Sequence, residues 1–379
     1  MTDGPRVLVL HNRYRVRGGE ERAVELQLRA LERAGLPSAL LERDSSAAGR
    51  GRAARALLRG GEDGGEVADA ARALGATVVH CHNMQPLLGP RALSAAHDAG
   101  ARVVLNLHNF RLFCAIGVAY RDGERCYDCH DGHTLPGLVH NCRGSRGEAG
   151  AYALALRRQL PDVLASVDRF VAPSAHAVDQ LVRLGLPRER IGLLRHYLPA
   201  GEFAARSDAA EGEFVLIAGR LAREKGLEQA VEAAALAETP LRIAGDGPLE
   251  PRLRELIAST GADAQLLGRL DPDALRALRR RAAVVAMPSL WDEIAPYAVL
   301  EAMAGGLPIV ASRVGGLPEL VGDQRCVAAG DVRALADSLR ALWDDPSQRR
   351  QDGEALLARA HGLFSEERYV ADLRELYSA

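Results

Sequence analysis

Short apolar runs alternate with longer amphipathic segments along most of the chain, a pattern typical of βαβ units with parallel strands. In the first half, the apolar runs predict buried strands at Val7–Leu10, Val78–Cys81, Val103–Leu107 and Phe170–Ala172. Apolar residues at helical spacing predict intervening helices at Glu20–Ala34, Pro90–Ala99 and Ala175–Leu184. The first half is therefore expected to form a doubly wound α/β domain.

The same alternation begins again after the middle of the chain. Its apolar runs predict strands at Phe214–Ala218, Leu241–Ala244, Gln265–Leu267, Val284–Met287 and Ile309–Ser312. The intervening stretch Pro199–Gly212 has no periodicity, and we place a domain boundary there. We expect one Rossmann-like domain over residues 1–198, a second over 212–362 and a terminal helix within 363–379, with ligands at the carboxyl ends of the strands.

Length and charge narrow the class of protein. The chain has 379 residues, enough for two domains with separate cores. A net charge of −2 predicts no bulk attraction for nucleic acid. The uncharged apolar runs fall short of the roughly 18–20 residues that a membrane span needs, and the start does not resemble a signal peptide. The expected protein is soluble and cytoplasmic.

The basic residues are almost all arginine. Of the 48 lysines and arginines, Lys225 alone is a lysine. Such a ratio indicates a drift from lysine to arginine wherever the two are interchangeable. The surviving lysine is then expected to lie where a compact ammonium group is needed rather than a planar guanidinium group.

Four glycine-containing turns follow predicted strands. The glycines are Gly18 and Gly19, Gly219 and Gly226 in "AGRLAREKG", Gly245 and Gly247 in "AGDGP", and Gly315 and Gly316 in "VGGLPE". Glycine lets the backbone approach a ligand closely, and helix amino ends offer N–H groups to phosphate. Neither the GxGxxG fingerprint nor a GxxxxGK[ST] loop is present, which disfavours dinucleotide and P-loop chemistry. Arg220 and Lys225 supply the two cations that a diphosphate leaving group requires.

A pair of carboxylates lies in "PSLWDEIAPYAVLEAMAGGLPIVAS". Glu293 is predicted in a loop after a strand, Pro296 suits the first turn of a helix, and Glu301 lies within that helix. Carboxylates at these two positions can contact different parts of one elongated ligand. They accept hydrogen bonds well from sugar hydroxyls.

Together these motifs resemble the retaining glycosyltransferases of family 4, which have the GT-B fold: two Rossmann-like doubly wound domains facing across a cleft. The resemblance rests on the Gly18-Gly19 loop, His108 after a strand, "GRLAREKG", "GDGP" and the Glu293/Glu301 pair followed by "AMAGGLPIVAS". It covers nearly the whole chain.

The resemblance implies a role for each of these residues. Arg220 and Lys225 would bind the nucleotide diphosphate. Gly19 and Gly245 would allow their loops to approach that diphosphate closely. Glu301 would hold the ribose and Glu293 the donor sugar. His108 would contact a sugar hydroxyl near the reacting carbon.

Two segments depart from the family pattern. The family often has E-P-F-G where this chain has Glu293-Ile294-Ala295-Pro296. Proline lacks an N–H group, so the amides of Tyr297, Ala298 and Val299 are expected to donate hydrogen bonds to the phosphate instead. The usual "NGVD" segment is replaced by "RHYLP" at 195–199. Close relatives in the family are therefore a poor guide to how this chain recognises its acceptor.

The expected activity is transfer of a sugar from a nucleoside-diphosphate (NDP) sugar to a glycan, a lipid-linked sugar or a small molecule, with retention at the anomeric carbon. No cofactor or divalent metal is expected in the chemistry, because protein cations face the diphosphate and no DxD cluster ends a strand. The alternatives are a sugar-nucleotide epimerase of the same fold and a non-catalytic nucleotide-sugar-binding protein.

Two further features lie in the first domain. Cys114, Cys126, Cys129 and Cys142 form a C-x11-C-x2-C-x12-C pattern, which predicts a structural zinc site, with disulfides or free thiols as the alternative. The segment 50–59 carries arginines at 50, 52, 55 and 59. A solvated helix face is favoured there over contact with a phosphorylated acceptor or peripheral contact with an anionic membrane at the inner face.

Overall fold

The computed structural model describes residues 4–14 and 18–378, which form two compact units. Within the described residues, the first unit comprises 4–14, 18–119, 126–196 and 367–378. The second comprises Tyr120–Arg125 and Tyr197–Glu366. In the aperiodic stretch between the predicted domains, two single turns of 3-10 helix occur, at Ala200–Glu202 and Ala209–Glu211.

The strands account for nearly all the short apolar runs of the sequence. In chain order they are β1 (Val7–Arg13), β2 (Ser38–Asp44), β3 (Val78–Cys81), β4 (Arg102–Asn106), β5 (Tyr120–Arg121), β6 (Glu124–Arg125), β7 (Arg169–Ala172), β8 (Ile191–Leu193), β9 (Phe214–Ala218), β10 (Leu241–Ala244), β11 (Ala264–Gly268), β12 (Ala282–Met287), β13 (Ile309–Ser312) and β14 (Cys326–Val327).

Within the residues that the structure describes, each unit contains one parallel six-stranded sheet. The order is β2-β1-β3-β4-β7-β8 in the first and β11-β10-β9-β12-β13-β14 in the second, and β5 pairs with β6 in a small antiparallel hairpin. The chain order reverses at β1/β3 in one sheet and at β9/β12 in the other. In doubly wound sheets, ligands bind at the carboxyl ends of the strands beside such a reversal.

Helices connect the strands. They are α1 (Gly19–Arg33), α2 (Arg50–Arg59), α3 (Gly65–Leu74), α4 (Gly89–Asp98), α5 (Leu135–Val139), α6 (Arg146–Ser166), α7 (Ala175–Arg183), α8 (Leu227–Ala237), α9 (Glu250–Thr260), α10 (Pro272–Arg280), α11 (Tyr297–Ala304), α12 (Leu317–Val321), α13 (Val332–Asp344), α14 (Pro346–Phe364) and α15 (Glu366–Ser378). Among the described residues, no helix combines the length and apolar character needed to cross a membrane.

The central strands form the core of each unit. All six residues of β12 are buried, as are the first four of β9, because helices cover both faces of a parallel sheet. In the second unit, apolar residues of α8, α9 and α13 pack on this sheet. The terminal helix α15 returns to the first unit, where the Tyr377 hydroxyl accepts a hydrogen bond from Gln27 Nε2 over 2.8 Å.

Candidate functional site

The sheet of the second unit brings the predicted diphosphate loop and the predicted sugar loop together. Strands β9 and β12 are parallel neighbours, so the loops that follow them leave the same edge. The first loop carries Lys225 and the second carries Glu293. Lys225 Nζ donates to Glu293 Oε1 over 2.6 Å.

Glu293 is a buried carboxylate with two side-chain donors. Its side chain is 3% exposed, that of Lys225 is 20% exposed, and Ser289 Oγ also donates to Glu293 Oε1, over 2.7 Å. The ammonium group of Lys225 lies 5.2 Å from the centre of the Trp291 ring. A buried charge is tolerated when it is paired and hydrogen-bonded. The side chains around Glu293 therefore hold its carboxylate in one position.

Arg220 is held by a different carboxylate. Its guanidinium group donates to Glu224, four residues later, in a very short contact. Glu224 is largely buried, whereas about half of Arg220 is exposed. The contact with Glu224 therefore holds the guanidinium group of Arg220 beside the loop that follows β9. Arg220 precedes the 3-10 turn Arg223–Lys225, so the pair does not follow from helical spacing in the sequence.

Glu301 lies inside α11, as expected, and has a cation of its own. Arg279, near the end of α10, donates to Glu301 Oε2, and both side chains are mostly buried. Sequence reasoning missed Arg279, Glu224 and Ser289. No local pattern links Arg279 to Glu301, because the contact depends on how α10 and α11 pack.

Glycines in the second unit allow the loops to touch each other. Gly226, in the left-handed region with φ +66°, would place a Cβ atom 1.9 Å from the carbonyl oxygen of Pro288. A Cβ atom on Gly245 would lie 1.8 Å from the Gly219 carbonyl oxygen. No side chain fits at such distances. Because it has no side chain, Gly226 allows the loop that carries Lys225 to contact the loop after β12. Gly245 likewise allows its own loop to contact Gly219.

The fourth glycine loop supports the backbone of Glu293. The amide of Gly316 donates to the Glu293 carbonyl over 2.7 Å, and the amide of Gly315 donates to Asp292 Oδ1 over 2.9 Å. Nearby, Val299 N donates to the Pro296 carbonyl over 3.0 Å. Because that bond already uses the Val299 amide, the Ala298 amide is a better candidate than Val299 for contact with a phosphate.

In the first unit, the Gly18-Gly19 pair stands at the start of α1, which begins at Gly19. The amide of Gly18 donates to Glu21 Oε2 over 2.7 Å, so Glu21 caps the helix. Residues 15–17 of this loop lie outside the described residues. Beside the loop, Glu20 Oε1 accepts from Asn109 Nδ2 over 2.5 Å, and burial raises the pKa of Glu20 to about 7.

His108 follows β4 and belongs to a column of four histidines. The rings of His80, His82, His108 and His196 stack with centroid separations of 5.0, 5.1 and 5.4 Å. Burial lowers the pKa of His82 and His108 well below its usual value, and neighbouring histidines lower it further. His108 lines a pocket of this unit together with Glu20, Asn106 and Asn109. Sequence reasoning found His108 but not the column, although "HCHN" at a strand end was a signal for it.

The four cysteines of the predicted zinc site remain in one loop region. All six cysteines of the chain are outside disulfides. Among residues 4–14 and 18–378, no three histidine, cysteine, aspartate or glutamate side chains are arranged to hold a metal ion. The side-chain positions therefore do not form a zinc-ligand shell, and structural zinc stays a prediction to be tested by metal analysis.

Comparison with known proteins gives matches over both units. Residues 17–196 match the model of Glycosyltransferase Family 4, and residues 202–356 match that of glycosyl transferases group 1. The chain is 33% identical over 293 residues to a D-inositol 3-phosphate glycosyltransferase of Nocardia farcinica, covering 70% of this chain and 64% of the relative. It is 29% identical over 262 residues to a glycogen synthase of Mycobacterium tuberculosis, covering 64% and 62%. These matches span slightly less than two thirds of each relative's length.

Solved structures resemble the fold over nearly the full chain. HepE of Anabaena, crystallised with UDP, superposes with a TM-score of 0.67 at 15% identity, covering 98% of this chain and 99% of HepE. Sucrose-phosphate synthase of Thermosynechococcus elongatus superposes with a TM-score of 0.72 at 18% identity, covering 98% of both chains. At these identities the likeness concerns the fold alone, and that fold is GT-B, as the sequence predicted.

Proposed function

Because the chain belongs to the group 1 glycosyltransferases of family 4, we propose that it transfers a sugar from an NDP-sugar to an acceptor with retention of anomeric configuration. The observation that carries the proposal is the contact of Lys225 with Glu293. It places a cation suited to a diphosphate beside a carboxylate suited to sugar hydroxyls. The UDP bound to HepE supports the same class of ligand.

Lys225 has enough hydrogen-bond donors to contact both Glu293 and a diphosphate. An ammonium group donates three hydrogen bonds, and Glu293 uses one of them. The remaining N–H groups can bind phosphate oxygens, where negative charge grows as the glycosidic bond to the diphosphate breaks. Fixed donors at a developing charge supply a large part of catalysis. Arg220, held by Glu224, would add the second cation.

The carboxylates would orient the donor. Glu293 would accept hydrogen bonds from hydroxyls of the sugar, with Ser289 and Lys225 fixing its own orientation. Glu301 would accept from the ribose hydroxyls, with Arg279 holding it in α11. The amide of Ala298, in the first turn of α11, would meet the diphosphate. His108, in the first unit, would contact a sugar hydroxyl near the reacting carbon.

We assign no protein group as a general base and no metal to the transfer step. In retaining enzymes of this kind, attack occurs on the face from which the diphosphate departs. The departing phosphate oxygen can take the proton of the acceptor hydroxyl, so atoms balance without a further residue. Protein cations, Lys225 and Arg220, would neutralise the diphosphate in place of a divalent ion. The acceptor is a glycan, a lipid-linked sugar or a small molecule.

Peripheral membrane contact through α2 is not part of the proposal. Arg52 makes two hydrogen bonds to Glu62, of 2.5 and 2.9 Å, which offset part of the positive charge of this helix. That pairing favours a solvated helix face.

The test is turnover with UDP-, GDP-, ADP- and TDP-sugars, with and without a panel of sugar and polyol acceptors. We expect release of nucleoside diphosphate that depends on acceptor, and NMR of the product should show the anomeric configuration of the donor. Conversion of the donor to another nucleotide sugar without acceptor would indicate the epimerase. Binding without any turnover would indicate a non-catalytic protein.

A further inference from the structure

The ammonium group of Lys225 has an aromatic neighbour as well as a carboxylate. Its Nζ atom lies 5.2 Å from the centre of the Trp291 ring and donates to Glu293 Oε1 over 2.6 Å. The first distance is within the roughly 6 Å over which the face of an aromatic ring attracts a cation, and tryptophan attracts cations best. The loop that follows β12 therefore offers Lys225 a ring and a carboxylate in close succession.

The backbone of the second unit holds the ring beside the lysine. The amide of Glu293 donates to the carbonyl of Trp291 over 2.9 Å, and the amide of Leu290 donates to the carbonyl of Glu224 over 2.8 Å. Leu290 precedes Trp291 in the chain and Glu224 precedes Lys225. The second hydrogen bond therefore joins the two loops next to the ring and the ammonium group.

The polar end of Trp291 does not fix its ring. The side chain is buried, and within the described residues its Nε1 atom has no hydrogen-bond partner. Buried tryptophans usually pair this N–H group, because an unpaired one costs free energy. The ring face beside Lys225 is therefore the part of the indole that has an electrostatic partner. Phenylalanine at this position would keep a ring face and remove the unpaired group.

A ring differs from a second carboxylate as a neighbour of this lysine. An ammonium group has three N–H donors, and Glu293 accepts from one of them. The ring has no net charge and attracts the charge of the whole ammonium group through its quadrupole. It therefore restricts the long lysine side chain without neutralising the charge that a diphosphate needs.

We propose that Trp291 is a positioning residue for the transfer step, because its ring holds the Lys225 ammonium group where the N–H donors not used by Glu293 bind the departing diphosphate. The inference rests on the proposed function, which assigns the diphosphate to Lys225. Without the ring, the flexible lysine side chain would be held by Glu293 alone, and its other donors would point in several directions. Transfer would then be slower, with little change in binding of the donor.

The lone lysine makes the contact with the ring measurable by NMR. Because Lys225 is the single lysine of the chain, full-length protein labelled with 13C-lysine and made without a lysine-containing tag shows one ε-methylene group. Protons beside an aromatic face are shifted upfield by the ring current. The ε-methylene signal of the parent should therefore lie upfield of its position in the unfolded chain.

Three variants test the origin of that shift. The upfield shift should be lost in Trp291→Leu and retained in part in Trp291→Phe. The matched control is Trp343→Phe, which changes the other tryptophan of the chain, beside Arg349, and should leave the lysine signal where it is. An unshifted signal in the parent, or a shift that persists in Trp291→Leu, would overturn the proposal. The signal of the parent decides the point even where Trp291→Leu does not fold.

Kinetics separate positioning from packing. Trp291→Leu should lower kcat about tenfold with little change in KM for the donor, whereas Trp291→Phe should keep most of the activity. In a Lys225→Ala background, Trp291→Leu should cause no further loss of kcat, because the group that it positions is absent. A further tenfold loss in that background would overturn the proposal, since it would indicate damage to the packing of the loop.

The lysine signal is read without substrate. A parent protein that shows the upfield signal but transfers no sugar from any donor would refute the proposed function and the step that the ring assists, while leaving the ring contact standing. An enzyme that transfers sugar without the upfield signal, or with the same kcat in Trp291→Leu, would refute the positioning proposal alone. The two failures are therefore distinguishable.

Discussion

Lys225 donates to Glu293 over 2.6 Å, although 68 positions separate the two residues in the chain. The contact joins the lysine that the sequence singles out to a carboxylate for which the resemblance to family 4 implies contact with the donor sugar. Parallel neighbours β9 and β12 bring their loops to one edge, and Gly226 lets the loops touch. The predictions below separate the structural role of this pair from its role in transfer.

Replacing Lys225 by alanine should slow transfer by roughly 30- to 1000-fold, because one charge-assisted contact to the departing diphosphate is worth about 2–4 kcal/mol. Lys225→Ala should also lower the unfolding temperature, since it leaves buried Glu293 without its cation. The double variant Lys225→Ala/Glu293→Gln should regain stability but not activity. Recovery of activity in the double variant would mean that Lys225 acts only by pairing with Glu293.

Lys225→Arg should also be impaired in transfer. The guanidinium group is larger and planar, and the ammonium group lies between Glu293, whose carboxylate Ser289 also holds, and the ring of Trp291. The matched control is Arg254→Lys, an exposed residue paired with Glu250 on the surface of α9, which should be silent. Steady-state kinetics over a range of donor concentrations would compare the two. An Lys225→Arg enzyme as active as the parent would refute the argument from the lone lysine.

Arg279→Gln should raise KM for the donor more than it lowers kcat. The substitution removes the cation that orients Glu301, whose proposed partner is the ribose and not the reacting carbon. Glu301→Gln should show the same pattern, whereas Glu293→Gln should affect kcat more strongly because it contacts the transferred sugar. If Arg279→Gln and Glu293→Gln change KM and kcat in the same proportion, Glu301 and Glu293 do not contact separate parts of the donor.

The free energy of unfolding should fall as the pH is lowered from about 7.5 to 5.5. Burial lowers the pKa of His80 to about 3 and of His196 to about 4, so the unfolded chain takes up protons below about 6.5 that the native state does not. Each such histidine contributes a loss of about 1.4 kcal/mol in total between pH 7.5 and 5.5, and the slope approaches about 1.4 kcal/mol per pH unit only below that window. Urea unfolding at several pH values measures the slope.

Glu20 provides the control for that slope. Its pKa is raised to about 7, so between about pH 7 and pH 4.5 the native state binds a proton that the unfolded state does not. Uptake of this proton stabilises the native state as the pH falls and so opposes the loss of stability caused by the histidines. Glu20→Gln should therefore make the loss of stability steeper in the same pH range. A stability that does not change with pH in the parent, or an unchanged slope in Glu20→Gln, would contradict these assignments.

The cysteine loop allows a direct test of the zinc prediction. If Cys114, Cys126, Cys129 and Cys142 bind zinc, reduced protein should contain about one zinc per chain, and a chelator should lower its unfolding temperature. Cys126→Ser should lower both the zinc content and the stability, whereas Cys81→Ser, at a buried position in β3, should leave the zinc content unchanged. Protein that contains no zinc when prepared without chelators would exclude the zinc site.

The buried strands could be predicted from the sequence because each is a continuous apolar run. Strand β2 was missed because it lies at the sheet edge, where "SALLERD" is partly exposed and carries charges. Lys225, Glu293 and Glu301 were singled out from residue type and spacing, and the structure shows each of them in an ion pair. Arg279 was not, because its contact depends on the packing of two helices, and His196 was not, because β8 is too short to give a periodic signal.

The most direct test of the central claim is nucleotide-sugar binding by the parent and by Lys225→Ala/Glu293→Gln, compared in one thermal-shift panel of UDP-, GDP-, ADP- and TDP-sugars. A ligand at one hundred times its dissociation constant stabilises the native state by about 2.7 kcal/mol, which is measurable as a rise in unfolding temperature. The account predicts such a rise in the parent for at least one nucleotide series, with little or no rise in the double variant. An equal rise in both proteins, or no rise with any donor in the parent, would contradict it.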